Sequence, residues 1–267
     1  MRILDEEKLR EFSKNTYLFA NTMIDDEFQN WGHSIQGDVK DSDCSEKLGF
    51  PDMFKFALRE GVTWEQMVNE LNTIEDRRVR DYAVTRVINI RAAVADESVF
   101  GMCDGIELNP NPYDPKWDFA IQGHRLDLKS TVLPVNASKF GEFANNWDAI
   151  KENPQELIRR MYLFQSSGVR THRTMNNRFF LFNKSFVSDK NTFLLKAGYR
   201  GRPEIIKEIV RNFTDDNLFS VDNVYIKKFD AIYNGVQAVL AIIFEKEDGT
   251  FSYEILKGNY RDVTSNN

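Results

Sequence analysis

The chain has 267 residues and a net charge of −6, and its 42% hydrophobic and 13% aromatic residues suffice for one large core or a core domain with a smaller partner. Only Cys44 and Cys103 are present, which excludes a disulfide scaffold and fits a reducing compartment. Neither GxxxxGK nor GxGxxG occurs, and His33, His124 and His172 lack zinc-ligand spacing, so nucleotide hydrolysis and zinc chemistry are unsupported.

The first residues, "MRILDEEKLREF", are acidic and helical in pattern, unlike a signal peptide, and residues 5 to 30 continue that periodicity. A loop rich in Asp and Ser is expected at "QGDVKDSDCSEKLGFPD". Thr63 and Gln66 form a capping box ahead of "WEQMVNEL", and a long amphipathic helix starts at Asp76 with "DRRVRDYAVTRVINIRAAVADE". Pro110, Pro112 and Pro115 mark a turn-rich approach to a hairpin in "KWDFAIQGHRLDLKST". A helix follows at "NPQELIRRMYLFQ", with Asn153 as N-cap and Pro154 in its first position. Strands are expected at "RFFLFNKSF", "NVYIKKFDAIY", "VQAVLAIIFE" and "FSYEIL", and a further helix around "RPEIIKEIVRNF". The longest apolar run, near "GVQAVLAIIF", is too short to span a bilayer, so a cytoplasmic protein with no membrane partner is expected. This order predicts an α/β or α+β fold in which helices flank one central mixed sheet, with an N-terminal helical region at 1–75 and the sheet-bearing domain at 76–267.

The charged face of the hairpin is either solvent or a site. A two-residue loop at Gly123 and His124, with Gly first as a type II′ turn wants, would pair Gln122 with Arg125, Ala120 with Asp127 and Asp118 with Lys129. Strand alternation then sets Trp117, Phe119, Ile121, Leu126 and Leu128 on a core face and gathers Asp118, Asp127 and Lys129 on the other. Two carboxylates placed diagonally across such a ladder can reach one cation. The same three charges would also suit the wet face of a sheet. His124 reads as a turn residue and not as a base.

Asp118, eight intervening residues and then Asp127-Leu128-Lys129 resemble the PD-(D/E)xK motif of the restriction-endonuclease-like nucleases, and the hydrophobic hairpin, the long helix before it and the basic helix and strand after it resemble that family's core over roughly residues 76 to 186. The resemblance implies a restriction-endonuclease-like core and a metal-dependent nuclease acting on DNA, an endonuclease of restriction or phage-defence type. By the same resemblance Asp118, Asp127 and the backbone carbonyl of Leu128 would hold Mg²⁺, with Mn²⁺ as a substitute, and Lys129 would act on the attacking water and the phosphate. Trp117 stands where the family has Pro, Asp114 offers a competing acid, and no Gln-xxx-Tyr motif of the exonuclease branch occurs. The family's further acid on the preceding helix could be Asp81, Glu97 or Glu107. The alternatives are a nucleic-acid-binding protein on the same scaffold without turnover, or a nuclease directed at RNA.

Charge distribution adds a second expectation. Residues 153 to 211 hold twelve Lys or Arg against four acids, whereas the first sixty residues hold thirteen acids against eight bases. The basic stretch would grip a phosphate backbone, leaving the N-terminal helices for recognition or homodimer contacts. Arg170, His172, Arg173 and Arg178 read either as phosphate contacts or as a solvated loop, and Phe179, Phe180 and Phe182 as strand core.

Overall fold

The computed structural model describes residues 3–28, 39–111, 114, 116–164, 177–198, 201–226 and 230–259. Arg170, His172 and Arg173 lie outside the described residues. Ten helices order the described chain: α1 Glu6–Met23, α2 Asp41–Lys47, α3 Met53–Ala57, α4 Trp64–Leu71, α5 Arg77–Gly101, α6 Ala137–Phe140, α7 Trp147–Glu152, α8 Pro154–Phe164, α9 Asp189–Lys196 and α10 Arg202–Arg211. Nine strands join them: β1 Ile106–Leu108, β2 Phe119–Ile121, β3 His124–Val132, β4 Arg178–Ser185, β5 Phe219–Val221, β6 Val224–Ile226, β7 Ala231–Tyr233, β8 Val236–Glu245 and β9 Phe251–Ile255.

Seven strands form one mixed sheet in the order β1-β2-β3-β4-β8-β5, with β9 also on β8. β3, β4 and β8 run parallel through its centre, Asp127 level with Arg178 and Arg178 with Ala238. β8 is buried almost throughout because helices cover both faces here, which explains its unbroken apolar run. On one face α5 and α10 pack Val99, Phe100, Ile206 and Ile209 against Phe179, Leu181, Val239 and Ala241. On the other, α8 packs Leu157, Ile158, Met161 and Tyr162 against Phe180, Phe182, Leu240 and Ile242. The expected α/β architecture with a helix-flanked mixed sheet and an N-terminal helical region is the one observed. Phe179, Phe180 and Phe182 are strand core, as expected. Among the described residues no helix is long and apolar enough to cross a membrane.

The helices begin where their caps dictate. Thr63 and Gln66 form the reciprocal box, and Asp76 accepts the Arg78 amide to open α5. α5 is buried around most of its girth, its first half against α1–α4 and its second against the sheet. Arg91 pins the first packing: its guanidinium lies 3.8 Å over the Phe12 ring, bonds Thr16 Oγ1 at 2.8 Å and the Ala57 carbonyl at 2.8 Å. The supposed Asp- and Ser-rich loop contains α2, because Asp43 reaches back to the Lys40 amide and a helical turn forms around buried Cys44. "NVYIKKFDAIY" is two short strands, β6 and β7, paired antiparallel and apart from the main sheet. β1, β5, α6, α7 and α9 were not expected from the sequence pattern.

The polar interior is organised around Arg202, which is almost fully buried. Its guanidinium holds the Asp96 carboxylate through two bonds of 2.9 and 2.8 Å, donates to Ser130 Oγ at 3.0 Å, and also bonds Asn183 Oδ1. Nearby Lys196 donates to Asn89, and burial lowers its pKa to about 8. Removing one partner of such a pair strands the other's charge in the interior. Asp96→Asn should therefore lower the unfolding free energy by roughly 3–5 kcal/mol, read from urea denaturation followed by circular dichroism.

Candidate active site

The hairpin turn is one residue earlier than the sequence reading placed it. Ile121 pairs with His124, Ala120 with Arg125 and Phe119 with Leu126, so the turn residues are Gln122 and Gly123, with φ of 49° and 85°. Two positive φ values are the requirement of a type I′ turn, whose twist matches that of the strands. Gln122 accepts this conformation with its side chain bonded to the Phe213 carbonyl at 3.1 Å. His124 becomes the first residue of β3, its Nε2 lying 3.1 Å from Asp215 Oδ1.

Relative to the expected pairing, each partner moves by two positions along β3. The shift is even, so Phe119, Ile121, Leu126 and Leu128 keep the core face they were assigned. Continuing the register one residue back sets Asp118 level with Asp127 instead of Lys129. At Asp118 the chain bends: its amide donates to the Leu126 carbonyl at 2.9 Å, and its carbonyl accepts the Asn109 amide at 2.9 Å. The bend ends the alternation. Trp117 therefore leaves the expected core face, and its ring lies 4.8 Å from the Arg125 guanidinium.

Asp118 is held against β3 by the Leu128 amide, which donates to Oδ2 at 2.7 Å, and its carboxyl lies within electrostatic reach of that of Asp127. The amide and carbonyl of a strand residue share an edge, so the Leu128 carbonyl lies on the Asp118 side. Lys129 Nζ reaches both oxygens of Asp127, at 3.0 and 2.9 Å. The sequence-predicted Asp118, Asp127, Leu128 and Lys129 are thus brought together.

Of Asp81, Glu97 and Glu107, Glu97 is the one near the aspartates. Phe100 stacks on Phe119 at 4.4 Å, and Glu97, one helical turn earlier on the same side of α5, is brought within electrostatic reach of Asp118, Lys129 and Asp127. Asp81 lies sixteen residues earlier on α5, roughly 24 Å along its axis, beside Arg77. Glu107 is exposed on the edge strand β1, opposite Ala120. Asp114 accepts the Lys116 amide within its own turn and makes no contact with the two aspartates among the described bonds.

Arg178 itself is neither a phosphate contact nor part of a solvated loop. It is fully buried at the start of β4, level with Asp127, with Nε 3.3 Å from Asp127 Oδ2 and its guanidinium 4.7 Å from the Tyr162 ring centre. Lys196 and Arg202 are buried as well, so these three bases of the 153–211 stretch present no charge to an outer surface.

The electrostatics follow from this crowding. Burial first, then the Asp127 charge, raises the Asp118 pKa above the usual carboxylate range. Burial first, then the Asp118 charge, raises that of Glu97. Among the described residues no group of three His, Cys, Asp or Glu is spaced to hold a metal ion by itself. The arrangement is instead an aspartate pair with a backbone carbonyl and a third acid close by. No protein-family model, no curated protein and no solved structure matches the chain.

A group whose folded pKa is raised binds its proton more tightly in the folded state. Stability is then greatest below the unfolded value and falls as pH rises through the folded value. Glu97→Gln removes the charge that has to form. Its melting temperature should equal or exceed that of the parent at pH 8, and the advantage should shrink as pH falls to 4, as differential scanning calorimetry across pH would show.

Proposed function

We propose that the protein is a metal-dependent nuclease that hydrolyses phosphodiester bonds of DNA, an endonuclease of restriction or phage-defence type on a restriction-endonuclease-like core. The observation that carries the reading is the meeting of Asp118 and Asp127, joined by Glu97 and Lys129, at the one place where the hairpin, β4 and α5 converge. A wet sheet surface does not account for it, since Asp127 is buried and two of the acids have raised pKa values because burial and mutual repulsion oppose their ionisation.

The residues fit a hard divalent cation. Mg²⁺ takes oxygen donors and commonly binds through one or two carboxylates with water and substrate phosphate completing its shell, without a full protein cage. Asp118, Asp127 and the Leu128 carbonyl would hold it, and Mn²⁺ could substitute. When bound, such an ion polarises a phosphoryl oxygen and lowers the pKa of an attached water. The chain's own part is positional. The Leu128 amide fixes one Asp118 oxygen, leaving the other to a ligand. Lys129 is half-exposed on the same face, a compact cation able to turn from Asp127 toward a phosphate whose charge grows during displacement. DNA is the substrate that the resemblance to PD-(D/E)xK enzymes favours, and a second copy of the chain could complete a two-strand cleavage.

Supercoiled plasmid, linear duplex, single-stranded DNA and RNA, each with Mg²⁺, Mn²⁺ or chelator, would test the reading. Nicking or linearisation of plasmid that chelator stops is expected. Cleavage undiminished in chelator, or none of any substrate, would overturn it, and cleavage of RNA alone would transfer it to RNA. Asp127→Asn should abolish turnover, because the amide keeps the shape and loses the charge that recruits the ion. Lys129→Ala should lower the cleavage rate about 100-fold or more while calorimetry still shows metal binding. Loss of binding and rate together would contradict the division of labour between the aspartates and Lys129.

A further inference from the structure

Arg178 has no place in the proposed chemistry, yet it lies fully buried against one of its ligands. The guanidinium is confined between the Tyr162 ring, 4.7 Å from its centre, and Asp127 Oδ2, 3.3 Å from Nε. Tyr162 is itself buried, with Phe180 edge-on at 6.0 Å, and Asn177, the residue before Arg178, accepts the Asp127 amide from the neighbouring strand at 2.8 Å. Unlike Lys129, which is partly exposed and can swing, this cation cannot leave without opening the sheet–helix packing. Arginine stays charged at any working pH.

Resting on the nuclease reading, we infer that Arg178 is a built-in counter-charge that limits the site to a single divalent cation, standing where a second ion would otherwise be needed to neutralise Asp127. The charges balance on that basis. Counted with Glu97, Asp118 and Asp127 all ionised, the state that binding a cation would favour, Lys129 and Arg178 leave the site one negative charge. One divalent ion and one phosphodiester bring it to neutrality, whereas a second divalent ion would leave a buried excess of two positive charges. Buried uncompensated charge is what protein interiors exclude most strongly. Arg178 is thus a positioning residue: it touches neither water nor phosphate, and sets what Asp127 can bind.

Titration of the full chain with Mn²⁺, followed by the electron paramagnetic resonance signal of the free ion, tests the count without reference to cleavage. One Mn²⁺ per chain is expected, lost in Asp127→Asn. Arg178→Met, of similar length and without charge, should bind Mn²⁺ at least about tenfold tighter or take up a second ion, since an opposite charge this close shifts ionic equilibria by one or more powers of ten. Arg178→Lys, which keeps the charge, should return to one ion with parental affinity. Two ions on the parent chain, or an Arg178→Met protein with parental count and affinity, would overturn the inference while leaving the metal reading intact. No Mn²⁺ on the parent chain would overturn both. Should Arg178→Met fail to fold, by circular dichroism, the parental count and the Arg178→Lys affinity still decide, an altered count in the lysine variant counting against the inference.

Discussion

The buried ion pair between Asp96 and Arg202 is the contact on which the positions of the other parts depend. Asp96 precedes Glu97 on α5, and Ser130, which the same guanidinium bonds, follows Lys129 on β3. Asn183 adds β4, and Arg202 itself opens α10. A single planar cation with donors pointing in fixed directions therefore sets the height of α5 against two central strands. The carboxylate cluster inherits its geometry from that setting. A pair of this kind contributes little net stability once desolvation is counted, but it penalises any register of α5 that would leave Asp96 or Arg202 alone.

Above that support the candidate site combines apolar packing with unfavourable charge. Phe100 on Phe119 and Phe179 brings α5 close to the hairpin, and closeness brings Glu97 up to Asp118. The acids cost the fold stability that the aromatic packing and the backbone bonds to Asp118 offset. Perturbed, mutually repelling acids of this kind are what the proposed cation site would require. Lys129, partly exposed, and Arg178, fully buried, mitigate the repulsion by both reaching Asp127 Oδ2.

Much of the architecture was legible because it rests on periodicity and caps. Alternation in 116–131 assigned Phe119, Ile121, Leu126 and Leu128 to the core and Asp118, Asp127 and Lys129 together, and Asp76, Thr63 and Asn153 marked helix starts. The exact register was not legible, since it turned on Gln122 adopting a left-handed conformation that its bond to Phe213, ninety-one residues away, supports. α2 was hidden by composition, Asp43 reaching back to the Lys40 amide to open a short helix instead of a loop. Glu97 could not be chosen over Asp81 and Glu107 because α5 is buried on most sides and its periodicity names no single inward face. Arg178 and Arg202 were counted as surface charge for the same reason: a sequence shows the charge of a side chain and not the carboxylate, 51 or 106 residues earlier, that receives it.

The central claim is that Asp118 and Asp127 come together to hold a divalent cation. Diffraction from crystals grown with millimolar Mn²⁺, collected on both sides of the manganese absorption edge, tests it most directly. The expected map has an anomalous peak bounded by the carboxylates of Asp118 and Asp127, with the Leu128 carbonyl at its side. A peak elsewhere in the molecule with none between the two aspartates, or an Asp127 that stays paired with Lys129 and Arg178 alone at that concentration, would contradict it.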